Sequence, residues 1–565
     1  MYPVATLFRA VRATMPSFSR LRIPFLLAAA TLLAFANAPW GEYCYDDISL
    51  IRDRKTIEHW SGMAKLVSRD FGPAFGDLHY RPLAPFTHFA DAILFGKKPF
   101  FSRLINVALH LAAGLALLGL WRRVFKREIL ATLAAAIFLC HPVTTEVVNC
   151  PGFRKDVLCT LLTVWTVWLL WRCGREGSVR AGIAAAAVWF LGLLAKEPAI
   201  LAPVLAALLL FFNRDTAHGG EENPRRPRGA RFLAPVALAF ACAFAAWITL
   251  YLCLRPHMTL DYSSFALTKP ISEVTPGSLG PALGFLNFCK AFLIYAKLWL
   301  VPVGLSVNHY FEPSVSFADW RTWAGAAALA GLFLLSLWAW KKGNPAGVGG
   351  LWACICLAPV AQILPAPEWL AERYLYIAHA GIALLIASLI LGRETRARRL
   401  ISLVLLGAYA ALTLMRNQDW QDDLTLNVRA YELWDNTEGR VRLGALQTTI
   451  AAQKALTGPG GTRTSEGAEE RARLLREARR NLTQALQEAP ERSDAWRTLG
   501  TAEWMSGEKD AARVHIRKAF ELNPNDPLNQ KAMELIGEKK PAGDNLSGPA
   551  GKSESPAALT PPEKR

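Results

Sequence analysis

The stretch "IPFLLAAATLLAFANAPWGEYCYDDISL" (residues 23–50) decides how the chain is read: an uncharged apolar run ends near residue 41, and two adjacent carboxylates, Asp46 and Asp47, follow it. A run of this kind approaches the ~20 residues that span a hydrocarbon core. Comparable runs recur at 104–121, 129–145, 157–171, 181–195, 198–213, 232–254, 322–340, 346–367, 374–392 and 400–415. With the first they make about eleven transmembrane helices, since flanking Arg residues can snorkel from the shorter ones. The expected fold class is all-α. A polytopic membrane domain covers 23–416, behind a cytoplasmic N-terminus at 1–22, and a long outer loop covers 42–103.

Composition agrees with this reading. Apolar residues make up 52% of the 565-residue chain and charged residues 19%. The net charge of +17 comes from Lys and Arg in short loops, so it reports topology and no nucleic-acid partner is expected. The first run has a rival reading as a signal peptide, with "ANA" (36–38) before the cleavage point. Pro39 would occupy the scissile bond, so the run is read as an anchor. The ten cysteines follow no C-x-x-C spacing and most lie inside apolar runs. Cys44 and Cys150 fall in outer loops, where a disulfide is an option, although two free thiols are the favoured reading.

Orientation follows from the cations. With the N-terminus cytoplasmic, "WRRVFKRE" (121–128), "WRCGREGSVR" (171–180), "NPRRPRGAR" (223–231), "KKG" (341–343) and "GRETRARR" (392–399) are all cytoplasmic. The segment "GFLNFCKAFLIYAKLWLVPVG" (284–304) would break that pattern as a crossing, so it is expected to be re-entrant or interfacial on the outer side.

Beyond residue 417 the chain turns polar. "WRTLGTAEWMSGEKDAARVHIRKAFELNP" (496–524) fits the 34-residue tetratricopeptide template at Trp496, Leu499, Gly500, Ala512, Ile516, Ala519 and Pro524, with Glu503 at a site usually given to Tyr. Ala478, Leu482, Ala485 and Pro490 mark a preceding repeat. A small tetratricopeptide-like helical-repeat domain is therefore expected over 417–539, with an insertion near 457–468 and a disordered tail at 540–565 rich in Pro, Gly and Ser.

Charges gather at the outer ends of the runs. The first loop carries Asp46, Asp47, His79, Arg81, His88 and Asp91. "HPVTTEVVNCPGFRKD" (141–156) carries Glu146, Arg154, Lys155 and Asp156. "LAKEPAI" (194–200) carries Lys196 and Glu197, and "WLAERYLY" (369–376) carries Glu372 and Arg373. Any one of these can be a snorkelling anchor or a local ion pair, and for Lys196 and Glu197 that reading weighs as much as a chemical one. Together they place acids beside fixed cations at a boundary of lipid and water. Arg and Lys suit a lipid-linked phosphate, while a carboxylate can take a proton from a hydroxyl or hold a divalent metal. The chemistry using all three parts is group transfer from a lipid-linked phosphate to a hydroxyl.

The order of motifs, "YDD", "YRPL", "HPVTTEVV", "RKD", "AKE", "PVGLSVNH", "AERYLY" and then tetratricopeptide repeats, resembles the transmembrane and tetratricopeptide repeat O-mannosyltransferases and their bacterial relatives, over about residues 40 to 525. These are class C (GT-C) membrane glycosyltransferases. The resemblance implies a polyprenyl-phosphate sugar donor, with mannose as the sugar, and a hydroxyl acceptor on Ser or Thr of a protein, met at the outer face. It implies Asp46 as catalytic base, Asp47 as its acidic partner, Glu146 as an acid orienting the acceptor or a metal, and Arg81, Arg154, Lys155 and Arg373 around the lipid phosphate. No cofactor is required, a divalent metal stays an option, and the repeat groove is where a peptide acceptor would bind. Compact loops and the lack of a retention signal suit a bacterial inner membrane with periplasmic repeats. The alternative is a non-catalytic, membrane-anchored tetratricopeptide assembly protein.

Overall fold

The computed structural model describes residues 18–76, 79–215, 229–254, 278–364, 366, 368–393, 395–434, 436–454 and 465–537. The expected tail at 540–565 and parts of the basic loop at 223–231 and of the insertion near 457–468 lie outside them. The described residues are 81% helical, and no strand occurs among them. It divides into two compact units, Met1–Gly439 and Arg440–Arg565.

The first unit contains α1 (Phe18–Ala34), α2 (Phe71–Phe75), α3 (Leu83–Phe95), α4 (Pro99–Phe125), α5 (Glu128–Cys140), α6 (Thr145–Asn149), α7 (Arg154–Glu176) and α8 (Val179–Ala195). After them come α9 (Ala202–Asp215), α10 (Gly229–Leu254), α11 (Gly280–Leu300), α12 (Trp320–Lys341), α13 (Pro345–Leu357), α14 (Tyr376–Ile390), α15 (Arg396–Asp419) and α16 (Asp423–Glu432). Each of the eleven expected runs contains helix, but length does not carry eleven crossings. Among the described residues seven helices are long and apolar enough to cross a membrane. The run at 129–145 instead breaks by 53° between α5 and the turn leading into α6. Four other runs lie in apolar helices of 10–17 residues, and 17 residues rise only about 25 Å.

The seventh long helix is α11, where the sequence suggested a re-entrant or interfacial segment. Its length and composition allow a crossing, it packs against α12 where Gly325 meets the Cys289 carbonyl, and its polar contacts run to neighbouring connections. Asn287 Nδ2 donates to Ser314 O (2.9 Å), and Lys290 Nζ pairs with Asp319 (2.9 Å). Tyr295 OH donates to Ala371 O (3.3 Å), and His141 Nε2 donates to Trp299 O (3.2 Å). All these partners belong to connections at the end that carries the acids described below.

Packing ranks the helices by depth. α5 is apolar all round and buried at nearly every position, which makes it an interior helix. α13 and α14 touch through Gly349 and Gly381, where a Cβ on Gly349 would stand 2.5 Å from the Gly381 carbonyl oxygen. Small residues allow such backbone approach in a lipid-embedded bundle. α10 and α12 are only 11% and 17% buried over their apolar windows, so their side chains face outward.

α17 (Thr437–Lys454) leads into the second unit, where α18 (Ser465–Glu488), α19 (Ser493–Ser506), α20 (Lys509–Leu522) and α21 (Pro527–Leu535) stack. The template positions Leu499, Ala512, Ile516 and Ala519 are buried, as the repeat pattern requires. The unusual Glu503 is buried too, and its carboxylate meets His515 Nδ1 at 2.7 Å.

Candidate active site

The chain leaves α1 through a short 3-10 turn and reaches the two carboxylates in a tight turn. Asp47 N donates to Cys44 O (3.1 Å), and Tyr45 takes a left-handed conformation with φ 56°. That turn sends the neighbouring acids in different directions. Asp47 is fully buried, and its Oδ1 accepts the N–H of Gly152 (2.6 Å) and the thiol of Cys150 (3.1 Å). Its Oδ2 is buried without a hydrogen-bond partner. Burial pushes the carboxyl up to about 7, against the opposing pull of the Arg103 guanidinium. Asp46 is only half-buried. The sequence offered the two acids as a pair; the fold makes Asp47 a tether to the 150–152 loop and keeps Asp46 half-buried.

Glu146, on α6, is buried and held by one residue. Its Oε1 accepts from Arg373 Nη1 (2.7 Å) and its Oε2 from the Arg373 backbone N–H (2.8 Å). Arg373 also pairs with Glu368 (2.7 Å) and lies 4.8 Å above the Phe153 ring. The Tyr45 ring is 6.1 Å from that same Phe153, so the turn bearing Asp46 and the Glu146–Arg373 pair share a wall. Beside Arg373, Glu372 accepts from Ser306 N (2.6 Å) and His309 Nε2 (2.8 Å).

The other three expected cations part company. Arg154 is wholly buried, paired with Asp91 (2.7 Å) and bonded to Asn106 Oδ1 (2.7 Å), Ser102 O (2.9 Å) and Thr87 Oγ1 (3.3 Å). It joins α3 to α4 and α7 and is wholly enclosed by these partners. Arg81 forks onto Glu197, with Nη2 to Oε2 at 2.7 Å. Next to it Lys196 pairs with Asp156 (2.6 Å), and its ammonium feels the charges of both Arg81 and Lys155. Arg81, half-buried Lys155 and Lys196 therefore form one cationic group at the ends of α7 and α8. Lys196 was left undecided by the sequence, and Arg154 gave no signal that its partner would be Asp91.

Cys44 and Cys150 are both free and buried, the first against Arg103 and the second on Asp47. No group of three or more His, Cys, Asp or Glu among the described residues is arranged to hold a metal ion.

Comparison with known proteins meets this geometry from the side of sequence. Residues 81–220 match the family model described as dolichyl-phosphate-mannose-protein mannosyltransferase, and residues 472–536 match that of the tetratricopeptide repeat. The chain resembles the transmembrane and tetratricopeptide repeat O-mannosyltransferases. Protein O-mannosyl-transferase TMTC1 of Homo sapiens is 33% identical over 144 residues, 24% of this chain and 16% of that protein. Protein O-mannosyl-transferase TMTC4 of Mus musculus is 23% identical over 475 residues, 72% of this chain and 61% of that protein. Protein O-mannosyl-transferase F38B6.6 of Caenorhabditis elegans is 22% identical over 416 residues, covering 71% and 56%. The chain thus spans less than two thirds of the length of each of these relatives. A solved oligosaccharyltransferase of Archaeoglobus fulgidus in the apo form covers 80% of this chain and 59% of its own, at 11% identity and a TM-score of 0.38, a likeness on which nothing is built. The O-mannosyltransferase family match includes Arg81, Glu146, Arg154, Lys155 and Lys196, while Asp46, Asp47 and Arg373 fall outside its bounds.

Proposed function

We propose that the protein transfers a sugar, mannose in the first instance, from a polyprenyl-phosphate donor to a hydroxyl of a protein Ser or Thr at the outer face of its membrane. The observation that carries this reading is the division between two neighbouring acids: Asp47 is locked under the turn, while Asp46 is half-buried and follows Tyr45, whose ring shares Phe153 with Arg373 of the Glu146–Arg373 pair. In the reaction Asp46 takes the proton of the acceptor hydroxyl as the oxygen bonds to C1 of the sugar. The bond from C1 to the phosphate oxygen breaks on the opposite side, and the configuration inverts. The electron pair leaves with the lipid phosphate, whose charge is met by Arg81, Lys155 and Lys196. Such electrostatic help is worth several kcal/mol where water is excluded. Arg373 is turned towards Glu146 and Glu368, which suits it to fix the acceptor side, and Arg154 supports the scaffold. A bacterial inner membrane, with the N-terminus cytoplasmic and the repeats periplasmic and offering a groove to a peptide, completes the proposal.

The test is radiolabelled polyprenyl-phosphate mannose supplied with a peptide pool to the purified, reconstituted protein. Label entering Ser- or Thr-containing peptides is the expected result. No transfer with any polyprenyl-phosphate sugar would overturn the reading and favour a non-catalytic assembly protein.

A further inference from the structure

The loop after α15 repeats the signature at the start of the chain, two adjacent carboxylates, Asp422 and Asp423, just beyond an apolar helix. The two do separate work. Asp422 caps α16, its Oδ1 accepting from Thr425 N (2.8 Å) and its Oδ2 from Thr425 Oγ1 (2.8 Å). Asp423 turns the other way: its Oδ1 accepts the backbone N–H of Tyr45 at 2.8 Å, across 378 residues of chain. The same loop meets the first one again through Gln421 O, which accepts from Glu42 N (2.7 Å). Trp420, fully buried, anchors it from below.

Tyr45 is a bulky residue at φ 56°. Side chains of that size occupy the left-handed region only where their surroundings impose it, and such residues collect at functional sites. Here the surroundings are visible. The Cys44–Asp47 turn closes on one side of Tyr45, Phe153 stands against its ring, and Asp423 takes its N–H. Tyr45 directly precedes Asp46, so its backbone angles set the direction in which the Asp46 carboxylate leaves the turn.

We infer that Asp423 is a positioning residue for the transfer reaction: by accepting the Tyr45 N–H it holds the left-handed conformation that aims Asp46 at the acceptor hydroxyl. The inference rests on the reading of Asp46 as the base. Two consequences separate it from a role in folding alone. Asp423 touches no substrate, so losing it lowers kcat and leaves KM for the lipid donor where it was. The role also needs an accepting oxygen and no charge, so Asn serves in place of Asp and Ala does not.

The experiment measures kcat and donor KM for the full-length wild type, Asp423→Ala and Asp423→Asn, reconstituted at equal folded concentration. Asp423→Ala is expected to lose between about tenfold and a hundredfold in kcat with KM unchanged, the scale of a misplaced catalytic group. Asp423→Asn is expected to recover to within about twofold of wild type. Asp423→Ala working at the wild-type rate, or Asp423→Asn failing as badly as Asp423→Ala, overturns the inference. Absence of transfer by the wild type instead overturns the glycosyl-transfer reading itself, so the two failures are told apart.

Discussion

At the scale of single residues, the two carboxylates behind the first helix differ in burial, and burial decides what each can do. Asp47 has one oxygen in a short bond to Gly152 N and another with no partner. Its carboxyl, held near 7 by burial, binds its proton more tightly in the fold than in the unfolded chain. The contribution is therefore fully present at acid pH, below the ordinary carboxylate range, and is lost as pH rises through about 7. Asp47→Asn keeps an oxygen for Gly152 N and removes the titration. It should flatten the fall in melting temperature of the wild type between pH 5 and pH 8, measured in the same detergent; an unchanged slope would put the titrating group elsewhere. Arg154 offers a second contrast. Replacing it by Ala leaves the buried Asp91 with the Ser102 hydroxyl but no cation, which costs about 3–5 kcal/mol. Loss of folded protein on size-exclusion chromatography is expected for Arg154→Ala, where Lys155→Ala should fold normally and raise KM for the donor.

At the scale of elements, the site depends on two loops that meet at a glycine. A Cβ on Gly152 would stand 3.1 Å from Asp46 Cβ and 3.2 Å from Asp47 Oδ1, closer than side-chain carbons ordinarily come. Gly152→Ala should therefore shift the Asp46 turn at a stability cost of about 1–3 kcal/mol. The expected result is a drop in kcat larger than the small change in melting temperature would explain. Equal kcat in Gly152→Ala and wild type would show that the approach of the loops does not matter. This junction was not legible in the sequence. Apolar runs announce their own helices because burial in lipid demands uncharged residues at every turn, and charges at their ends announce themselves by interrupting the run. Pairings carry no such mark. Glu146 and Arg373 stand 227 residues apart, and Arg81 and Glu197 stand 116 apart. Nothing in "GFRKD" says that its Arg turns inward to Asp91 while its Lys stays half-exposed. The break between α5 and α6 falls at Pro142, which has no N–H to continue the helix, so the sequence does carry a local mark of it.

At the scale of the whole molecule, the long hydrogen bonds and ion pairs gather the end of α1, the starts of α4, α7 and α14, and the end of α15 at one end of the bundle. Acids and cations share that end, while α10 and α12 present mostly apolar side chains outward. Such a bundle fits a reaction between a lipid-borne donor and an acceptor in water. Through Gln421 and Asp423 the segment after α15 is hydrogen-bonded to the loop after α1. The second unit carries the repeat positions the sequence announced, because a tetratricopeptide stack is written in local spacing. The most direct test of the central claim compares sugar transfer from radiolabelled polyprenyl-phosphate mannose to peptide by wild type, Asp46→Asn and Asp47→Asn at equal folded concentration. The account predicts transfer lost by at least about a hundredfold in Asp46→Asn and largely kept in Asp47→Asn. Transfer surviving in Asp46→Asn and lost in Asp47→Asn would contradict it and make the buried acid the base.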